Sequence, residues 1–166
     1  MTRNKKAMFA LLAVVIFGLN LASSAQTAKT APVKQSKTES MLKEIKATYQ
    51  PFPGGFIVTY EGKAKPLISL IIVEAGPAVV IVSDAAEDAQ IDLTPEKMRK
   101  LLEFNSRSDY IKAGISNDKS VRVQTEQNLP SISAKFFGEL LEQVAAGTDE
   151  VAAIVGPIKK APSTTK

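Results

Sequence analysis

The acidic stretch between residues 84 and 92 holds the densest set of side chains that could bind a cation. Asp84, Glu87, Asp88 and Asp92 supply carboxylate oxygens, which are the ligands that Ca²⁺ prefers. The stretch lacks the alternating carboxylates and the mid-loop glycine of a calcium-binding loop, and acidic residues before a helix also suit the helix dipole. We therefore predict a solvated connection here, and we expect the protein to have no metal site and no cofactor.

The catalytic chemistry open to the chain is limited, because it contains no histidine, no cysteine and no tryptophan. The usual zinc ligand sets and the Ser-His-Asp and Cys-His nucleophile systems are therefore excluded. An enzyme built on this chain would have to use carboxylates and lysine, for example in a polar cleft that joins Asp84, Asp88, Asp92 and Lys112. The sequence predicts a protein that is not an enzyme, with such a carboxylate-and-lysine enzyme as the alternative.

Two further polar groups have an ordinary interpretation as solvated helix faces. Glu139 and Glu142 lie three residues apart on a predicted helix and have the form of a catalytic carboxylate pair. The neighbouring sequence offers no second group of residues that would complete a catalytic site. Lys97, Arg99 and Lys100 flank the apolar face of another predicted helix and could attract an anionic lipid or phosphate. We expect both groups to be solvent-exposed, with a membrane-peripheral protein as a further alternative.

The first twenty-five residues have the pattern of an export signal. Arg3, Lys5 and Lys6 precede an apolar run over residues 7–22, and the small residues at 23–25 suit a cleavage site. The run is shorter than the roughly twenty residues that span a bilayer, so an uncleaved anchor is the less favoured alternative. We predict a signal peptide over residues 1–25 and a periplasmic or secreted product that meets the membrane only transiently during export.

The mature chain is predicted to form one domain between two polar tails. Residues 26–36 have the composition of a flexible linker, and residues 159–166 that of a disordered tail. The body, 37–158, holds thirteen basic residues against all seventeen acidic ones, so the basic pI of about 9.2 comes from the ends of the chain. A body of net charge −4 is poorly suited to nucleic acid.

Hydrophobic periodicity and turn residues predict an α+β fold, an antiparallel sheet with helices packed on it in the order α-β-β-β-α-β-β-α. Thr38 or Ser40 is expected to begin the first helix, and the Pro and Gly residues at 51–55 to end it. In the last helix, Gly147 indicates a bend or a break. The predicted strands cover residues 56–60, 67–73, 78–82, 110–115 and 121–129, and the later helices begin at Thr94 and at Ser131 or Ser133.

The strand at 67–73 is almost wholly apolar, which is typical of a strand with both faces covered. The second cover would come from the first helix, from another subunit or from a partner. Phe136 and Phe137 are adjacent on the last helix, so both cannot point fully into one core. These two features predict an apolar surface on the sheet–helix layer.

The element order, together with three sequence stretches, resembles the YbjN-like family of bacterial sensory transduction regulators. The stretches are Leu101-Leu-Glu-Phe-Asn105, Tyr110-Ile-Lys-Ala-Gly114 and the polar strand from Val121 that ends in Leu129-Pro130. That family shares the Tir chaperone-like fold of class I type III secretion chaperones, and the resemblance implies that fold. It also implies dimers that hold extended client segments in apolar grooves, without catalysis.

Together these features predict an exported module that binds a protein partner or a client segment and forms a homodimer. The contacts with the partner are predicted at Tyr60, Leu70, Ile72 and Phe136.

Overall fold

The computed structural model describes residues 36–86 and 93–156. The predicted signal peptide, most of the linker, the tail and most of the acidic stretch lie outside these residues. The described part contains three helices, a 3₁₀ turn and one six-stranded antiparallel sheet, which confirms the α+β class. The elements are α1 (Lys37–Glu44), β1 (Tyr49–Phe52), β2 (Gly55–Tyr60), β3 (Ile68–Ala75), β4 (Ala78–Ala86), α2 (Pro95–Arg107), β5 (Lys112–Ile115), β6 (Val121–Asn128), the 3₁₀ turn (Leu129–Ser131) and α3 (Ala134–Val155).

The strands lie in the order β1-β2-β3-β4-β6-β5, and every neighbouring pair is antiparallel. Helix α3 packs against β3, β4 and β6, while α1 packs on α3, and α2 packs on α3 and β5. The three helices therefore form one layer, and the core lies between this layer and one face of the sheet. Its largest fully buried side chains include Leu70, Phe104, Phe137 and Leu140.

A residue with a side-chain hydroxyl caps the N-terminus of each of the three helices. Ser36, Thr94 and Ser133 accept hydrogen bonds from the backbone N–H groups of Glu39, Lys97 and Phe136, respectively. Pro95 occupies the first turn of α2, where its missing N–H costs nothing. The N-cap of α1 is thus Ser36, not Thr38 or Ser40. The side chain of Thr38 is fully buried instead.

A strand that the sequence pattern did not predict follows α1. Residues 49–52 form β1 although Pro51 lies within it, because β1 is an edge strand and needs hydrogen bonds on one side only. Gly54 turns the chain into β2 with φ of 100°, a conformation that favours glycine. The Pro-rich segment therefore forms a β-hairpin, and α1 ends earlier, at Glu44.

The first helix does not supply the second cover that was considered for the strand at 67–73, and cover by another subunit or a partner stays a prediction. In β3, Ile68, Leu70 and Ile72 are buried, whereas Ser69 and Ile71 are exposed. Helix α1 lies in the same layer as α3, so among the described residues no element covers the opposite face of the sheet.

Helix α3 is continuous through Gly147, where a bend or a break had been expected. A Cβ at this position would lie 2.5 Å from Ile111 Cδ1 and 3.1 Å from Phe104 Cζ. The glycine therefore allows α3 to approach its neighbours closely. Within residues 36–86 and 93–156, no helix is long and apolar enough to cross a membrane.

Candidate functional site: a groove across the last helix

The four predicted partner contacts divide into two buried and two surface residues. Leu70 and Ile72 are fully buried under α3 and belong to the core of the chain itself. A side chain without exposed surface offers a partner nothing to touch in this conformation, so these two positions are corrected to core residues. Tyr60 and Phe136 are partly buried and lie at the edge of the core, on opposite flanks of α3.

Tyr60 lines a cleft of about 510 Å³ between α3 and the loop that joins β2 to β3. Ile68, Ala145 and Ala146 give the cleft an apolar floor. Burial raises the pKa of the Tyr60 hydroxyl, and the nearby Glu142 raises it further. The cleft thus holds a neutral phenol beside an acidic rim. The other lining residues are Glu61, Gly62, Lys63, Glu142 and Asp149.

Asp149 fixes the loop that forms one wall of this cleft. Its Oδ1 atom accepts hydrogen bonds from the backbone N–H groups of Ala64 and Lys65, at 2.8 and 2.9 Å. These N–H groups, with that of Lys65 contributing most, lower the pKa of Asp149. Gly62 leaves room for the carboxylate, because a Cβ there would lie 2.3 Å from Asp149 Oδ1. The wall is therefore held by the helix and does not depend on a ligand.

A second cleft, of about 350 Å³, lies on the other flank of α3, against α2 and the loop before β5. Tyr110 lines it and meets the Phe136 ring edge-to-face, with ring centroids 5.2 Å apart. Arg107 of α2 and Glu150 of α3 form an ion pair at the same cleft. Its other lining residues are Phe104, Ser108, Asp109, Ile111, Gln143, Ala146 and Gly147.

The two clefts share Ala146, which is exposed on α3. Ala146 has a small side chain, and the buried Ala145 and Gly147 lie on either side of it in the sequence. The two clefts therefore adjoin at Ala146, with Tyr60 lining one and Tyr110 lining the other. We call the two clefts together the α3 groove.

Small residues at 145–147 were the sequence signal for the groove. Gly147 led us to expect a bend or a break in the helix, whereas the helix is continuous there and both Ala146 and Gly147 line the second cleft. Tyr110 belongs to a stretch that carries the family resemblance, but it was not predicted as a contact residue. Its position beside Phe136 depends on contacts between α3 and the segment before β5, which the sequence does not specify.

The carboxylates and lysines considered for catalysis are not brought together by the described structure. Asp84 accepts a hydrogen bond from Arg122 Nε at 2.6 Å, and Lys112 Nζ donates to the carbonyl oxygens of Asn105 and Ser108. Asp88 and Asp92 lie outside the described residues. Across 36–86 and 93–156, no group of three carboxylate side chains could hold a metal ion.

The basic residues of α2 are also engaged. Lys97 Nζ donates to the carbonyl oxygen of Val155 at 2.6 Å, which caps the end of α3. Arg99 and Lys100 form ion pairs with glutamates four residues away along the same helix, an arrangement typical of a solvated helix face.

Two solved structures share this fold, and one of them is a type III secretion chaperone. The Yersinia pestis chaperone SycH, solved with a fragment of YscM2, superposes with a TM-score of 0.50 at 13% identity, over 71% of this chain and 96% of that chain. The ExsC–ExsE complex gives 0.51 at 8% identity, over 72% and 91%. YbjN from E. coli gives 0.49 at 11% identity, over 71% and 85%. No protein-family profile matches the chain, and no curated protein matches it. The secretion-chaperone-like fold predicted from the sequence is thus confirmed.

Proposed function

We propose that the protein is an exported, non-enzymatic module that holds an extended segment of a protein partner in the α3 groove. The observation that carries this proposal is that the exposed Ala146 lines both clefts, so a segment that occupies one cleft can extend across this small side chain into the other. SycH and ExsC, which have the same fold, were each solved with a protein bound, and this supports protein binding as the general activity.

The lining of the groove indicates the chemistry of the segment. The floor is apolar, and an aromatic ring lines each cleft. Acidic residues outnumber basic ones along the rim, with Lys63 and Arg107 as the basic members and Glu61, Asp109, Glu142, Asp149 and Glu150 as the acidic ones. A segment that alternates apolar and basic residues matches both properties, because charge complementarity favours the encounter and apolar contact favours retention.

The binding test uses two fluorescein-labelled peptides of about twelve residues, one alternating Leu with Lys and the other Leu with Glu. We expect the lysine peptide to bind more tightly. Ala146→Trp should weaken that binding at least about tenfold, because the indole would fill the space where the two clefts adjoin. Fluorescence anisotropy measures the change.

Ala153→Trp is the matched control, because Ala153 is also exposed and lies two turns further along α3, outside the lining of both clefts. We expect its affinity to stay within about twofold of the parent. Equal effects of the two tryptophans, or no preference for the lysine peptide, would contradict the proposal.

The export part of the proposal depends on residues 1–25 alone. If the segment is a cleaved signal, protein recovered from its own host should have the mass of residues 26–166 and should be found outside the cytoplasm. Intact-mass spectrometry of the fractionated cell measures this. Full-length protein in the cytoplasmic fraction would contradict export, and full-length protein in the membrane would favour the anchor.

A further inference from the structure

We propose that the cleft beside Tyr60 takes an arginine side chain of the bound segment, three positions away from an apolar side chain that enters the cleft beside Tyr110. The inference rests on the proposed function and adds to it, because it assigns a different kind of side chain to each half of the α3 groove. The cleft lined by Tyr60 is here called the acidic cleft, and the cleft lined by Tyr110 the aromatic cleft.

The first observation is that the acidic cleft contains carboxylates without a cationic partner. Glu61 and Glu142 line it, are exposed, and form no hydrogen bond or ion pair among the residues that the structure describes. Lys63 is the one basic side chain among the described residues of the lining, and its charge is opposed by that of Asp149. A cation that enters this cleft would therefore meet two carboxylates that no neighbouring side chain neutralises.

The second observation is that the charges of the aromatic cleft are nearly balanced. Arg107 and Glu150 pair with each other, so Asp109 is the one remaining charged side chain among the described residues of that lining. Tyr110 is 47% exposed, and its ring meets that of Phe136 edge-to-face. The aromatic cleft thus offers ring surface and little net charge, which favours an apolar side chain.

The third observation is that the acidic cleft suits both parts of an arginine side chain. Ile68, Ala145 and Ala146 form its apolar floor, against which the methylene groups can pack while the guanidinium stays at the exposed rim. Tyr60 supplies an aromatic ring on which a guanidinium stacks, and the same planar group carries five N–H donors for the carboxylates. A lysine ammonium has no planar face to stack, so arginine fits the cleft better.

The width of α3 sets the spacing between the two side chains. The clefts lie on opposite flanks of the helix and adjoin at Ala146, and a helix with its side chains is about 10–12 Å wide. Three residues of an extended chain cover about 10 Å, and residues three apart point to the same side in the polyproline II conformation. Three is also an odd spacing, which a segment that alternates apolar and basic residues provides.

The test measures the affinity of three fluorescein-labelled peptides of about twelve residues by fluorescence anisotropy. The first carries arginine and phenylalanine three positions apart, with alanine between them and serine and threonine elsewhere. The second has glutamate in place of arginine, and the third has the arginine and the phenylalanine next to each other. We expect the first peptide to bind at least about tenfold more tightly than either of the others.

Charge reversal in the acidic cleft tests the contact itself. Glu142→Arg should weaken binding of the first peptide at least about tenfold and should strengthen binding of the glutamate peptide, because the two charges are then exchanged. Glu139→Arg is the matched control, since Glu139 is exposed on the same helix, lies outside the lining of both clefts and gives the same change in net charge. We expect the control to change either affinity by less than about threefold.

Two results would overturn the inference and leave the α3 groove in place. They are equal effects of Glu142→Arg and Glu139→Arg, and equal affinities of the first and third peptides, in each case with binding that Ala146→Trp still weakens. A lack of binding by every peptide, the alternating Leu and Lys peptide included, would overturn the groove as well.

Discussion

Asn105 connects a helix to a strand through a single side chain. Both polar atoms of its amide bind the backbone of Ala113, as a neighbouring strand would, and its own carbonyl oxygen accepts a hydrogen bond from Lys112 Nζ at 2.8 Å. The residue therefore fixes the end of α2 against β5 and also satisfies backbone groups at the sheet edge. Asn105 is the last residue of the Leu-Leu-Glu-Phe-Asn stretch that carries the sequence resemblance, and its role becomes visible only in the structure.

We expect Asn105→Ala to lower the free energy of unfolding by about 1–3 kcal/mol, because two part-buried hydrogen bonds are lost and the Ala113 groups are left without these partners. Urea denaturation measures the loss. Hydrogen exchange of the Ala113 amide should also accelerate at least about tenfold.

Ser106→Ala is the control for this residue, since Ser106 is exposed and its hydroxyl bonds only to its own helix, at the carbonyl oxygen of Glu103. We expect its stability to change by less than about 0.5 kcal/mol. Unchanged exchange at Ala113 in the Asn105 variant would show that the side chain does not protect this edge.

Two of the four predicted contact residues lie on the surface, and the reason for the division is local. In β3, alternate residues face opposite sides, and helix α3 covers the side to which Leu70 and Ile72 point. The composition of an apolar strand does not reveal which side is covered, so the sequence did not show that Leu70 and Ile72 are core residues. Their neighbour Ile71, by contrast, is exposed.

At the scale of elements, hydroxyl caps and hydrophobic periodicity were sufficient to predict all three helices and five of the six strands in the described part. Thr94 was predicted as a helix start and is confirmed as an N-cap, and of the two candidates Ser131 and Ser133 the N-cap of α3 is Ser133. Strand β1 was missed because proline disfavours most strands, and only its place at the sheet edge makes Pro51 acceptable there. Whether a strand lies at the edge of a sheet depends on the tertiary structure, and the local sequence does not specify it.

The local sequence also did not predict that α3 is continuous through Gly147. Glycine weakens an isolated helix by about 1 kcal/mol relative to alanine, which favoured a break at Gly147. In the structure, the close approach of Ile111 and Phe104 to this glycine compensates, since packing is lost if the helix breaks. The α3 groove depends on small residues at the same place in the helix, Ala146 and Gly147. Helix propensity says nothing about the space that small side chains leave beside a helix, so it could not predict the groove.

At the scale of the whole molecule, no side chain with an ordinary pKa near neutrality contributes to the response of stability to pH, because the sequence contains no histidine. The Lys43 ammonium, followed by the Tyr49 hydroxyl, lowers the pKa of Glu39. The hydroxyl of Ser116, together with the backbone and side chain of Ser120, lowers the pKa of Asp118 well below its usual range. These carboxylates therefore favour the folded state when ionised.

We expect stability to be nearly constant through neutral pH and to fall below about pH 4.5. A carboxylate with a lowered pKa stabilises the fold fully above its ordinary pKa, which is 4.5 for Glu39 and 3.8 for Asp118, and loses that contribution as the pH falls through its folded value. Tyr60 acts in the opposite direction. Burial raises its pKa, so its contribution is present below the ordinary value of 10.0 and is lost as the pH rises.

Urea midpoints measured from about pH 3 to about pH 11 check this profile, and Tyr60→Phe should flatten its alkaline part. A steep change in stability between about pH 6 and about pH 7.5 would contradict this account, since no side chain of the chain has an ordinary pKa in that interval.

The position of α3 at the end of the described chain has a consequence for biosynthesis. All six strands are translated before Ala134–Val155, yet this helix provides most of the cover for the buried face of the sheet. A nascent chain that lacks α3 would leave both faces of the sheet in water and would have little core to stabilise it. We therefore expect the polypeptide to stay unfolded until translation has passed Val155.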